Sequence, residues 1–160
     1  MNPSFREILE LLNKYEVEYI VVGGVAAVIQ GAPVTTFDLD ALIRIGDENA
    51  DRLSLALDEL EARYRERQSR IKPTKEDILA GGHLLLLTRA GPLDVLGFIG
   101  DTNRYEDLLH HSSEFSMTIG TFRVLDLDEL IRQKKVSDRP KDRAMLELLE
   151  EALRQREQED

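Results

Sequence analysis

The sequence predicts an α+β fold, in which helices flank a mixed β-sheet and the C-terminal part of the chain is helical. Short apolar runs rich in β-branched residues alternate with segments in which apolar residues recur at helical spacing. Two of the apolar runs, residues 83–88 and 93–99, flank a turn that contains Gly91 and Pro92, which predicts a hairpin. The interleaved order favours parallel strands and the hairpin adds an antiparallel pair, so the predicted sheet is mixed.

Local signals set the limits of the predicted elements. Ser4 and Glu7 form a capping-box pattern before the first helix, and Gly23-Gly24 ends the first strand in a tight turn. Asp47 is a candidate cap for a long third helix. The predicted helices cover residues 5–15, 25–30, 47–67, 75–80, 127–135 and 140–155. The predicted strands cover residues 19–22, 35–43, 83–88 and 93–99, with two weaker strands at 116–119 and 122–125.

The length predicts a single domain. A chain of 160 residues is long enough to bury one core and too short for two domains of ordinary size. We expect a core over about residues 1–125 and C-terminal helices over about 126–156. With 42% hydrophobic and 32% charged residues, the composition is typical of a folded globular protein.

Composition also limits the location and the metal chemistry. The sequence has no apolar stretch of the roughly 18 to 20 residues that a membrane span needs, and its N-terminus lacks the pattern of a secretion signal. A cytoplasmic protein with no membrane partner is therefore predicted. Because the chain has no cysteine, any metal must be held by oxygen or imidazole ligands. His83, His110 and His111 show no ligand spacing and are expected to be structural or exposed.

The charge is uneven along the chain. The net charge of −10 argues against a protein that coats nucleic acid. Two basic islands nevertheless stand out: the first covers residues 63–75 and the second covers residues 132–143. The first basic island is interpreted as a solvated helix face or loop, and the alternative is a surface that binds an RNA acceptor.

Three aspartates form a candidate metal site. Asp38 and Asp40 project from the same face of the predicted second strand, and Asp94 lies between two apolar residues in the hairpin. Carboxylates gathered on neighbouring strands repel one another unless a divalent cation neutralises them, and oxygen ligands suit Mg²⁺ or Mn²⁺. Gly23 and Gly24, at the end of the preceding strand, would allow phosphate to approach the backbone. The alternative is a solvent-facing strand edge, with Asp94 as a turn residue.

These residues together resemble the DNA polymerase β-like nucleotidyltransferase superfamily, and especially its minimal, toxin–antitoxin-associated prokaryotic branch. The superfamily pattern is an apolar residue and two small residues, a spacer, and then alternating acidic and apolar residues. Here the pattern is matched by Val22-Gly23-Gly24, thirteen intervening residues, and Asp38-Leu39-Asp40-Ala41. Leu93-Asp94-Val95 supplies the third acid of the pattern.

The resemblance extends into the second basic island. Leu130-Ile131, Lys134 and Arg139-Pro140-Lys141-Asp142 are similar to a segment of the toxin-associated branch, so the likeness covers residues 19 to about 150. It implies that Lys134, Arg139 and Lys141 contact triphosphate or acceptor. The alternative is a surface connection between helices, in which these cations pair with Asp138 and Asp142.

The resemblance implies a nucleotidyltransferase fold and transfer of a nucleoside monophosphate from a triphosphate to a hydroxyl group. Asp38 and Asp40 would hold the cation that bridges the triphosphate. With them, Asp94 would hold a second cation that activates the acceptor, and Asp94 is also a candidate general base. Gly23, Gly24 and Thr36 are the remaining candidate nucleotide contacts.

The acceptor could be a protein, an RNA end or a small molecule. The acidic surface favours a partner protein of a toxin–antitoxin pair over RNA. One position departs from the pattern: many relatives carry an arginine four residues before the first acid, and Val34 stands there in this chain. The alternative function is therefore a catalytically silent domain that binds a nucleotide or a partner protein.

Overall fold

The computed structural model describes residues 3–66, 71–137 and 139–159, with the backbone alone for residues 3 and 4. Its helices are α1 Pro3–Lys14, α2 Gly23–Ile29, α3 Asp47–Glu59, α4 Lys75–Leu79, α5 Tyr105–Leu108, α6 Leu127–Lys135 and α7 Pro140–Glu159. Its strands are β1 Tyr19–Val22, β2 Leu39–Ile43, β3 Arg63–Tyr64, β4 His83–Thr88, β5 Gly91–Leu96, β6 Ser112–Met117 and β7 Gly120–Leu125. A short 3-10 turn, Leu109–His111, joins α5 to β6.

All seven strands form one mixed sheet, in the order β3-β4-β5-β2-β1-β7-β6. The pairs β2/β5 and β1/β7 are parallel, and the other neighbouring strands are antiparallel. The predicted α+β fold with a mixed sheet is therefore confirmed. The parallel register of β2 and β5 sets Asp40 directly opposite Asp94.

The apolar core runs through the centre of the sheet. Ile20, Leu42 and Leu93, from three neighbouring strands, are inaccessible to solvent, as are Ile8 of α1 and Leu53 of α3. Burial of this kind stabilises a fold by roughly 1.5–3 kcal/mol for each large side chain. The central strands are therefore fixed rigidly, and with them the positions of the aspartates that they carry.

Two predicted elements were too long. The second strand begins at Leu39 and not at Thr35, so Asp38 lies just before the strand. The third helix ends at Glu59 and not near residue 67. Glu61 adopts a left-handed conformation with φ 54°, which ends the helix and turns the chain back as β3. Tyr64, which helical spacing assigned to α3, pairs with Leu86 of β4 instead.

The remaining predictions differ in smaller ways. Gly23 and Gly24 begin α2 directly after β1 and form no separate turn, and the residue that caps α3 is Gly46 and not Asp47. The hairpin turn is tighter than expected, because Gly91 and Pro92 already belong to β5. Helix α5 was not predicted, and β6 begins at Ser112, four residues earlier than the predicted strand. In the first basic island, residues 67–70 lie outside the described residues. No helix in the described part of the chain is both long and apolar enough to cross a membrane.

Candidate active site

The three predicted aspartates converge at one point of the sheet. Asp40 on β2 and Asp94 on β5 are paired across the two parallel strands, and Asp38 lies immediately before β2. Each of the three carboxylates offers an oxygen atom, and these oxygens lie within 4.8 Å of one another. This spacing of the carboxylate oxygens fits a hard divalent cation such as Mg²⁺ or Mn²⁺. We call Asp38, Asp40 and Asp94 the acid triad.

Burial and repulsion between the carboxylates perturb the pKa of Asp40 in the acid triad. Burial raises the pKa of Asp40 to about 7, and the negative charge of Asp94, a hydrogen bond with it and the charge of Asp38 add to the shift. The positive charge of Lys134 acts in the opposite direction. Strongly perturbed carboxyl groups of this kind, shifted by burial and by neighbouring charges, are typical of functional sites.

Two glycines lie in close contact with side chains of the site: Gly23 with Asp40 of the acid triad, and Gly24 with Thr36. Gly23 has φ +67°, and a β-carbon there would lie 2.1 Å from Oδ2 of Asp40. A β-carbon at Gly24 would lie 2.6 Å from Oγ1 of Thr36. The Thr36 hydroxyl donates a hydrogen bond of 3.1 Å to the carbonyl of Asp38. Glycine is therefore required at both positions by close packing, and the loop before β2 is held against the start of α2.

Arg65 reaches the acid triad from the edge of the sheet. Its Nη2 donates a hydrogen bond of 2.7 Å to Oδ1 of Asp94, and its Nη1 lies 3.8 Å from Oδ2 of Asp38. Sequence reasoning missed this residue, because it interpreted the first basic island as a solvated surface. The alternation of Arg63, Tyr64 and Arg65 at a spacing of two residues is the signal that could have indicated a strand with both arginines on one face.

A cleft of about 470 Å³ opens beside the acid triad. Its walls come from the ends of β1 and β5, from the loop that follows β5, and from α6 with the connection to α7. Gly23 and Asp40 line this cleft together with Lys134 and Arg139. This volume is typical of small-molecule sites, which range over roughly 300–1,000 Å³.

Both cations of the cleft are held by a buried aspartate. Nζ of Lys134 lies 2.9 Å from Oδ1 of Asp142, and Nε of Arg139 lies 2.9 Å from Oδ2 of the same residue. Ser137 donates a further hydrogen bond to Asp142. Burial opposes ionisation of Asp142, but the bonds from Ser137, Lys134 and Arg139 outweigh it and lower its pKa to about 2. Asp142 therefore stays ionised and fixes the cations at the rim of the cleft.

The other predicted residues are less close to the acids. Lys141 is exposed on the first turn of α7 and is absent from the residues described as lining the cleft, so its contact with nucleotide stays a prediction. Val34 packs against the core with its side chain partly buried, so it offers no charge to the site. His83 is exposed and stacks on Phe98, and His110 and His111 are exposed.

The mixed sheet, with two of its acids on adjacent parallel strands beside the two glycines that begin α2, has the nucleotidyltransferase fold, and comparison with solved structures agrees. The lincosamide antibiotic adenylyltransferase LnuA, in its lincomycin-bound crystal structure, superposes with a TM-score of 0.62 and 12% identity over 94% of this chain and 96% of that one. The antibiotic-resistance factor ANT(2'')-Ia gives a TM-score of 0.55 and 15% identity over 96% of this chain and 91% of that one.

A third similar structure comes from Thermotoga maritima. This protein, provisionally assigned as a nucleotidyltransferase, gives a TM-score of 0.55 and 18% identity over 82% of this chain and 83% of that one. At these identities the likeness shows the fold alone. No family model and no curated protein matches the sequence.

Proposed function

We propose that this chain is a metal-dependent nucleotidyltransferase, which transfers a nucleoside monophosphate from a nucleoside triphosphate to a hydroxyl acceptor. The observation that carries the proposal is the acid triad, whose oxygens lie within 4.8 Å of one another and whose member Asp40 lines the cleft. Three carboxylates at a partly buried position repel one another, and the single positive charge of Arg65 offsets that repulsion only in part. The fold supports the same conclusion.

The acid triad fits a divalent cation both in its oxygen ligands and in its unbalanced negative charge. Asp38, Asp40 and Asp94 would hold Mg²⁺ or Mn²⁺. When bound, such a cation supplies charge stabilisation at the phosphoryl group and lowers the pKa of the attacking hydroxyl. Burial is the main cause of the raised pKa of Asp40, and a bound cation would offset the repulsion from Asp94 and Asp38 that adds to it.

The remaining residues would orient the triphosphate. The absence of a side chain at Gly23 lets the Asp40 carboxylate lie against the backbone where both residues line the cleft. Lys134 and Arg139 line the same cleft as Asp40, with their charges fixed by Asp142, and they would bind phosphate oxygens. These two cations are the candidates to replace the arginine that is absent at Val34.

The transfer forms one bond and breaks one. The acceptor oxygen bonds to the α-phosphorus, and the bond from that phosphorus to the pyrophosphate oxygen breaks. The hydroxyl proton passes to a base, for which Asp94 is our candidate because its carboxylate lies within the acid triad. Pyrophosphate leaves along the side lined by Lys134 and Arg139.

Two features bear on the acceptor. LnuA is named as a lincosamide antibiotic adenylyltransferase and was solved with lincomycin bound, and a cleft of about 470 Å³ can hold a small hydroxylated molecule. The net charge of −10 favours a partner protein over RNA, as in a toxin–antitoxin pair. We propose that the acceptor is a protein or a small molecule, with RNA as the third class to be tested.

The test is label transfer from the four α-labelled nucleoside triphosphates with Mg²⁺ or Mn²⁺. Fractions of a cell extract that contain protein, RNA or small molecules serve as acceptors. We expect label in one fraction, and we expect Asp94→Asn or removal of the metal to abolish it. Asp58→Asn, which changes an exposed carboxylate of α3, is the matched control and should transfer label normally.

The main alternative is a silent binding domain, which Val34 favours because it removes a cation that relatives carry. Calorimetry separates the two functions together with the labelling assay. Nucleotide binding that needs both the metal and Asp38, without label transfer to any fraction, would favour the silent domain. Nucleotide affinity that is unchanged by Asp38→Asn and by removal of the metal would contradict both.

A further inference from the structure

Arg65 shares one cross-strand row with the acids of the site. The main-chain N–H of Arg65 donates a hydrogen bond to the carbonyl of Leu85, and Leu85 pairs with Asp94, which in turn pairs with Asp40. Residues opposite one another across neighbouring strands project from the same face of a sheet. The Arg65 side chain therefore extends over Leu85 toward the two acids.

The guanidinium group of Arg65 is held through its two terminal nitrogen atoms, Nη1 and Nη2. Nη2 donates to Asp94 and also to the carbonyl of Leu86 at 3.0 Å, and Nη1 lies 3.8 Å from Asp38. It is thus the cation that lies against the acid triad on the side of β4. Nε is buried, with no hydrogen-bond partner among the described residues. A buried donor without a partner costs free energy, and that cost is recovered if the side chain moves into water.

We propose that Arg65 is a displaceable counter-ion of the acid triad, and that a divalent cation binds at Asp38 and Asp94 only after the guanidinium group has left them. This inference rests on the proposed metal site. The oxygen of Asp94 that accepts the bond from Arg65 cannot at the same time face a metal along the same direction. One monovalent charge also compensates the triad less completely than a divalent ion does.

The geometry allows Arg65 to leave. Its side chain remains 30% exposed and that of Asp38 remains 40% exposed, so the guanidinium group has an open path to solvent. The main-chain bond to Leu85 belongs to the sheet and does not depend on the side chain. Release therefore breaks the contacts to Asp94, Asp38 and Leu86 while leaving β3 in place.

The experiment measures Mn²⁺ affinity without nucleotide, at about 0.15 M salt, where long-range charge effects are screened. Arg65→Gln removes the counter-ion, and Arg63→Gln is the matched control. Arg63 lies on β3, two residues before Arg65, and it makes no ion pair within residues 3–66, 71–137 and 139–159. We expect Arg65→Gln to bind Mn²⁺ about tenfold more tightly, the effect of one charge-assisted hydrogen bond, and Arg63→Gln to bind as the wild type does.

A second measurement uses the wild-type protein, so that the proposal does not depend on how a variant folds. Nitrogen-15 NMR detects the guanidinium signals of arginines whose rotation an ion pair slows. The Arg65 signal is assigned by its absence from the spectrum of Arg65→Lys. As Mg²⁺ is added, we expect the Arg65 signal to broaden, because a released guanidinium group rotates freely and exchanges its protons with solvent.

The possible outcomes are distinct. Equal Mn²⁺ affinity of the wild type and Arg65→Gln, or an Arg65 signal unchanged at saturating Mg²⁺, would overturn the displacement and leave the metal site intact. Tighter binding by Arg63→Gln to the same degree would also overturn it, because the effect would then be one of general charge. Absence of Mn²⁺ binding in all three proteins would remove the displacement and the proposed metal site together.

Discussion

The substitution Gly23→Ala tests how far the position of the Asp40 carboxylate depends on the absence of a side chain at residue 23. A β-carbon at Gly23 would lie 2.1 Å from Oδ2 of Asp40, so that oxygen must move by about 1.3 Å to reach the 3.4 Å of ordinary contact. Asp40 cannot simply retreat with its backbone, because β2 is paired on both sides by β1 and β5. The carboxylate must therefore rotate away from the metal position.

The matched control is Gly31→Ala, at the other end of α2. Gly31 also has a positive φ, +98°, but a β-carbon there would meet no atom within 4 Å. Both substitutions carry the cost of a left-handed alanine, about 1–2 kcal/mol of stability. Only Gly23→Ala adds the displacement of Asp40, so the difference between the two variants isolates the effect on the site.

The assay compares label transfer and Mn²⁺ affinity for the two variants. A misplacement of about 1 Å at a reacting group costs on the order of a hundredfold in rate. We expect Gly23→Ala to lose label transfer on that scale and to bind Mn²⁺ more weakly, while Gly31→Ala retains both. If the two variants lose the same modest fraction of activity, Asp40 does not act from its observed position and the reasoning is refuted.

Three further predictions concern the charges around the cleft. Asp142→Asn should lower the free energy of unfolding by on the order of 3 kcal/mol in urea melts, because it leaves the largely buried ammonium group of Lys134 without its carboxylate partner, whereas Glu151→Gln on the surface of α7 should change it little; equal effects would contradict the assigned role. Lys134→Ala should weaken triphosphate binding at least about tenfold in calorimetry, and Lys135→Ala, which removes an exposed cation of the same helix outside the described lining of the cleft, should leave it nearly unchanged; the reverse order would place the phosphates elsewhere. The metal-free protein should lose stability as the pH rises from about 4 to about 7, by no more than about 4 kcal/mol, because the raised pKa of Asp40 makes the folded chain hold a proton that the unfolded chain has released. Melts in EDTA at pH 5 and 8 measure this loss, and a slope that persists in Asp40→Asn would assign it to another group.

Much of the fold was readable from local sequence. The β-branched run Tyr19–Val22 predicted β1 to the residue, and helical periodicity predicted α1 and α6 to within two residues at each end. The third helix was overextended, since Leu60 and Tyr64 continue a helical pattern that the left-handed Glu61 interrupts. Apolar spacing alone cannot reveal such a break, because it depends on the pairing of Tyr64 with Leu86.

The sequence by itself identified the three acids of the candidate site and the two glycines beside them, because their residue types and their spacing along the chain are visible without a structure. It also marked Lys134 and Arg139 as cations of one short segment. Only the tertiary structure decided which charges meet. The register between β3, β4 and β5 brings Arg65 to Asp94, which lies 29 positions later in the sequence, and the fold of α7 onto α6 buries Asp142 between Lys134 and Arg139. Such encounters join residues far apart in the chain, and the free energy that selects them comes from packing of the whole core.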